Sequence, residues 1–139
     1  MLATAKVPDH YSVALEYSGW GDANLAVHVA RDVWSSMHAL TTSSVTAYDA
    51  WDVGVGGEAP GPRIASRLVT LRVGVRDRTL PFSTTGSSVR EMSIAAGVGI
   101  ELSPRRANLD LGLQRASRSS GSSVSEHAYI LSVGLRVIP

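Results

Sequence analysis

Leu68-Val69-Thr70-Leu71-Arg72-Val73-Gly74-Val75-Arg76 decides how this chain folds. In an extended backbone, Val69, Leu71, Val73 and Val75 stand on one face, and Thr70, Arg72, Gly74 and Arg76 on the other. The period is two, so the stretch reads as a strand. Two arginines and a glycine facing the same way mark a wet, confined surface, and the opposite face is wholly apolar. That combination is the pattern of a transmembrane β-barrel wall.

The same alternation recurs along the chain, and helical periodicity is poor throughout. It predicts strands over Tyr11–Ser18, Asn24–Ser35, Val45–Glu58, Ser66–Thr79, Val89–Leu102, Ala107–Ser117 and His127–Ile138. Most of these reach the roughly 9–11 residues a tilted strand needs to cross a bilayer. The outward set runs from Tyr11, Val13, Leu15 and Tyr17 to Leu131, Val133, Leu135 and Val137. The inward set, the candidate lumen lining, contains Glu16, His28, Asp32, Asp52, Arg72, Arg76, Glu101, Asp110, Gln114 and Arg136, with Glu58 beside them. Seven of the thirteen glycines (54, 56, 74, 97, 99, 112 and 134) share that charged face. Glycine weakens a strand interior unless curvature or crowded neighbours require it, so the pattern implies a tightly curved wall.

The connections add to this reading. Gly19–Ala23 and Ser103–Arg106 fall on one side and are tight, with the Pro/Gly-containing Ala59–Ala65 a little longer beside them, whereas Ser36–Ser44, Leu80–Ser88 and Arg118–Glu126 fall on the other and read as longer loops. Short inner turns with longer outer loops are the habit of such barrels. Tyr17 and Trp20 at one end, with Trp34, Tyr48, Phe82 and Tyr129 at the other, would form two interfacial girdles. The charges that break the apolar face, Arg31, Asp49, Arg67 and Arg115, lie toward strand ends, where they cost little.

Composition excludes several classes of function. The 139 residues are one domain's worth, with a formal net charge of +1 and twelve scattered arginines, so nucleic acid is not an expected partner. The absence of cysteine removes disulfides and thiolate metal sites. No run approaches the roughly 18 apolar residues of a membrane-spanning helix. The start, Met1-Leu2-Ala3-Thr4-Ala5-Lys6-Val7-Pro8, has no apolar leader, and the expectation is therefore a fragment or the tail of a longer precursor. Ser, His and Asp are present, but no nucleophile elbow organises them. Gly54-Val55-Gly56-Gly57 sits in a strand pattern with no helix to follow it, and His28 stands alone on its face. Neither an enzyme, a cofactor nor a metal is expected. Arg72 and Arg76, two inward positions apart, could either grip an anionic headgroup or pair with lumen carboxylates to hold register.

Tyr-Ser-Val-Ala-Leu-Glu-Tyr (11–17) leads into a strand ending Asp32-Val33-Trp34-Ser35-Ser36. Leu71-Arg72-Val73-Gly74-Val75-Arg76 and Leu80-Pro81-Phe82 follow, then Ala95-Ala96-Gly97-Val98-Gly99-Ile100 and Asn108-Leu109-Asp110-Leu111-Gly112-Leu113-Gln114. This order, from Pro8 on, resembles the C-terminal half of the FadL-like outer-membrane transport proteins. The resemblance implies a bacterial outer-membrane location and passive, cofactor-free passage of hydrophobic compounds such as long-chain fatty acids. Outer-membrane lipid is then the surrounding partner. A related branch of such barrels serves secretion or a structural role, and is the alternative within this class.

The fold expected is all-β: an antiparallel up-and-down transmembrane barrel, or part of one, with about seven to eight strands. The competing class is a soluble β-barrel with its apolar parity inward around a small ligand. Seven strands leave two edges with unsatisfied backbone groups, which lipid does not tolerate. The first and last strands are therefore expected to pair with each other, with another copy, with missing upstream strands, or with an eighth strand from Leu2–Val7.

Overall fold

The structure, a computed structural model, describes residues 8–34, 46–83, 88–104, 106–120 and 124–137. Among the described residues there are nine strands and no helix: β1 (Asp9–Trp20), β2 (Ala23–Val33), β3 (Thr46–Ala47), β4 (Ala50–Pro60), β5 (Val69–Leu80), β6 (Phe82–Ser83), β7 (Val89–Ser103), β8 (Ala107–Ser120) and β9 (Val124–Val137). Seven of them form one antiparallel up-and-down sheet in the order β1-β2-β4-β5-β7-β8-β9. The short β3 and β6 pair separately, Thr46 opposite Ser83 and Ala47 opposite Phe82, beside the Tyr48 N–H that donates to the Pro81 carbonyl.

Register carries the alternation across the whole sheet. Arg72 stands opposite Glu58 on β4 and Gly97 on β7; Gly74 stands opposite Gly56 and Ala95. Directly paired residues share a face. Following the pairs outward from Arg72, Gly74 and Arg76, and the alternate positions along each strand, therefore collects Glu16, His28 and Asp32 on one side and Asp110, Gln114 and Arg136 on the other. The companion set, from Val13 through Val73 to Val133, collects the apolar side chains.

The apolar set is the exposed one. Val73 is 66% exposed, Leu131 75% and Val133 67%, while Ala50, Val69 and Ala116 are the buried apolar side chains among the described residues. Glu91 and Ser93, on the polar face, are each only 6% exposed. No second layer of the described chain covers the apolar side. The asymmetry is that of a sheet curled around its polar face, with the greasy side turned out.

Strand bounds shift by one or two residues at several ends, β1 running Asp9–Trp20 and β4 on to Pro60, and depart further in three places. The segment expected over Val45–Glu58 is divided, because the backbone leaves the ladder at Tyr48 and Asp49 between β3 and β4. The strand expected from Ser66 begins at Val69, since Ile64 and Arg67 close a two-residue turn with Ala65 (φ 48°) and Ser66 (φ 64°) in the left-handed region. The strands run into the long outer loop expected over Arg118–Glu126, where β8 and β9 stay paired from Arg118–Glu126 to Ser120–Val124, and residues 121–123 lie outside the described residues. Backbone pairing continues whatever the polarity of the side chains, so these serines prolong strands. Residues Leu2–Val7 and Ser36–Ser44 lie outside the described residues.

An odd number of strands has a geometric consequence. In an up-and-down sheet of seven, β1 and β9 run in the same direction. Direct pairing of these two edges would be parallel, within one copy or between two copies inserted the same way up. Antiparallel closure takes an odd number of further strands.

Candidate functional site: the polar face

The polar face is crossed by three chains of ionic contacts. In the first, Asn24 Nδ2 on β2 donates to Glu58 Oε1 on β4 at 3.1 Å. Arg72 Nε on β5 donates to Glu58 Oε2 at 3.1 Å, and Arg72 Nη1 donates to Asp110 on β8. In the second, Asp52 on β4 is held by His28 Nε2 at 3.1 Å and by Arg76 Nε at 2.8 Å. In the third, Glu91 on β7 lies between Arg78 on β5, whose Nε donates at 2.7 Å, and Arg118 on β8. Near the β1 edge His10 adds a contact to Asp32, its register partner. In the seven-stranded sheet, each strand from β1 to β8 is thus tied to another by side chains as well as by backbone.

Glycine makes these long reaches possible. The Arg72–Asp110 contact passes over β7, where Gly97 faces Arg72 and Gly99 faces Asp110. A Cβ at Gly99 would lie 2.9 Å from Asp110 Oδ1 and 3.4 Å from Arg72 Nη1. A Cβ at Gly54 would coincide with the His28 ring, which lies across that glycine toward Asp52. Crowding by cross-strand side chains, one of the two reasons the sequence offered for these glycines, is what these positions show. Beside the Arg72–Asp110 bridge, Gly74, Ala95, Gly97 and Gly112 leave an open hollow of about 460 Å³.

All ten candidate lumen residues share this face by register. The structure gathers five of them into contacts: Arg72 with Asp110, Arg76 and His28 with Asp52. Asp32 meets His10, while Glu16, Glu101, Gln114 and Arg136 occupy positions nearer the edges or the turn end. The sequence reading missed Arg78, Glu91 and Arg118. The signal was present, since each continues the parity of Arg76, Ser93 and Ala116, but these positions lie where the strands run past the apolar stretch.

Four arginines (72, 76, 78 and 118) face four carboxylates (Asp52, Glu58, Glu91 and Asp110) in these chains. Their charges balance. Of the two roles open to Arg72 and Arg76, the contacts present are those of a register-holding network, and neither guanidinium is left facing an empty site. Apart from Glu91 these side chains are partly exposed, so each pair is worth little alone and the chains act as networks.

The apolar face has its own border. On β9, Tyr129, Leu131, Val133, Leu135 and Val137 alternate over eight residue steps. At about 3.4 Å per step and a tilt near 40°, this band is roughly 20 Å tall, against about 25 Å for a lipid-facing barrel band. At the β3–β6 end, charges interrupt it. Arg31 pairs with Asp49 at 2.9 Å and lies 5.1 Å over the Trp51 ring, and Arg90 pairs with Asp77 at 2.9 Å. Arg115 lies 6.0 Å over the Tyr129 ring. Asp77 and Arg90 thus join the exceptions expected from the sequence, again at the strand ends.

No family model, curated protein or solved structure matches this chain.

Proposed function

We propose that this sheet is part of the wall of a bacterial outer-membrane β-barrel, with its apolar face against lipid and its polar face around an aqueous interior. One observation carries the reading: a single-layer sheet exposes its alternate apolar side chains and gathers its ion pairs, half-exposed around a buried Glu91, on the other face. Val73, Leu131 and Val133 are each 66% or more exposed, and burying one such side chain is worth about 1.5–3 kcal/mol. A contiguous apolar surface of this kind marks an interaction surface, and hydrocarbon is the solvent that matches a band all round a sheet.

The barrel would pass hydrophobic compounds, long-chain fatty acids among them, passively and without a cofactor. This rests on the FadL-like order of segments and on the hollow beside Gly74 and Gly112. A second reading, a barrel with a structural or secretion-associated role, is favoured by the balanced charges of the polar face, which leave Arg72 and Arg76 engaged with carboxylates.

The experiment is refolding of the chain into phospholipid vesicles, followed by alkaline carbonate extraction and a fluorescent fatty-acid uptake assay. Transport predicts carbonate-resistant protein and faster uptake than empty vesicles. Resistant protein without uptake favours the structural role. A chain that is monomeric in water without detergent overturns both.

A further inference from the structure

We propose that the charged border of the apolar face on β7–β9 binds the phosphate of an anionic membrane lipid, with Arg115 as its main cation. The inference deepens the proposed function and rests on this face meeting lipid. Three consecutive rows build the place. Arg115 is opposite Ile94 and Tyr129; one row further from the band, Ser117 is opposite Met92 and His127; beyond it Arg90 is opposite Ser119. Directly below Arg115 the sheet is apolar, with Leu113 opposite Leu131 and Leu111 opposite Val133.

Arg115 differs from the other arginines of the apolar border and from those of the three polar-face chains. Arg31 and Arg90, on the same border, are held by Asp49 and Asp77, and those of the three polar-face chains by carboxylates. Arg115 is exposed, and among the described residues its contact is the Tyr129 ring. The Tyr129 ring attracts the guanidinium through its π face, a contact that uses none of the Arg115 N–H groups and so leaves them to donate. A phosphate accepts two parallel hydrogen bonds from such an edge. The exposed His127 and the hydroxyl of Ser117 stand one row away as further donors. The apolar surface beneath offers the acyl chains of the same molecule a place to lie. A cation, donors beyond it and a greasy strip below it match the order of parts in an anionic lipid.

The test uses the refolded chain in vesicles of phosphatidylcholine with about one-fifth phosphatidylglycerol. Lipid that remains with the protein after transfer to detergent is counted by native mass spectrometry. Wild type should retain phosphatidylglycerol above its share of the mixture. Arg115→Gln should lower that enrichment about five-fold, with carbonate-resistant insertion unchanged. Arg63→Gln, in the connection at the opposite end, should leave it unaltered. Retention of the two lipids in proportion to the mixture, or equal enrichment in wild type and Arg115→Gln, overturns the lipid site while leaving the barrel reading intact. A chain that fails to insert overturns both.

Discussion

Arg72 on β5 and Asp110 on β8 are joined over the strand between them, and the room for that contact is the missing side chain of Gly99. Glycine on the polar face is therefore a site requirement more than a weakness. Gly74 offers a contrast, because a Cβ there would meet its nearest neighbour, the Val55 carbonyl, at 3.5 Å, an ordinary contact.

Gly99→Ala is expected to lower stability by about 0.5–1 kcal/mol, the worth of a partly exposed ion pair. Gly74→Ala should be near neutral or slightly stabilising, since it narrows the unfolded ensemble without a clash. Urea midpoints of the two variants refolded in detergent measure the difference. Equal midpoints would mean that the Arg72–Asp110 bridge contributes nothing.

Glu91 should be the most costly carboxylate to lose. It is 6% exposed and serves both Arg78 and Arg118, whereas the Asp110 side chain is 40% exposed. Glu91→Gln leaves two guanidiniums facing each other over an uncharged amide. A loss of about 2 kcal/mol is expected, against about 0.5–1 kcal/mol for Asp110→Asn. The same denaturant series checks the order, and a reversed order would contradict the burial argument.

How far these relationships could be read in advance follows from what parity carries. A period of two names the face of every side chain, so Arg72, Asp52, Asp110 and the glycines are placed together by sequence alone. It does not name strand neighbours or reach. Arg72 and Asp110 lie 38 positions apart in the chain, and nothing in either segment shows that an arginine can span a whole strand where glycine clears the way. Hence Arg72 remained open to a ligand role until Glu58 and Asp110 were seen around it. The Ala65–Ser66 turn was equally hidden, because neither residue favours a positive φ. Arg118 and Ser120 read as loop because their stretch is polar, yet backbone pairing ignores that.

Depth on the apolar face should matter if that face meets lipid. Val133→Arg, in the middle of the band, is expected to cost about 2–4 kcal/mol of folding free energy in vesicles, and Ser117→Arg, beyond its border, about 0–1 kcal/mol. In a water-soluble sheet an arginine at a position 67% exposed would cost almost nothing. Equal effects at the two positions would remove the lipid face.

The edges make a separate prediction. β1 and β9 each have one paired side, to β2 and to β8, whereas β5 and β7 are paired on both. In the refolded chain, hydrogen exchange should protect β5 and β7 throughout, and in β1 and β9 should spare alternate amides only. Uniform protection of β1 and β9 would show that both edges have found a partner, whether each other as a parallel pair, a second copy or a strand from Leu2–Val7.

The orientation of the two faces is tested most directly along β9. Single cysteines at positions 129 to 136, each carrying a spin label in the refolded, vesicle-bound chain, report access to oxygen dissolved in lipid and to a water-soluble nickel chelate. Positions 129, 131, 133 and 135 should favour oxygen, and 130, 132, 134 and 136 the chelate, with a strict period of two. Chelate access at 131 and 133 equal to that at 132 and 134 would place the apolar face in water and contradict the barrel wall.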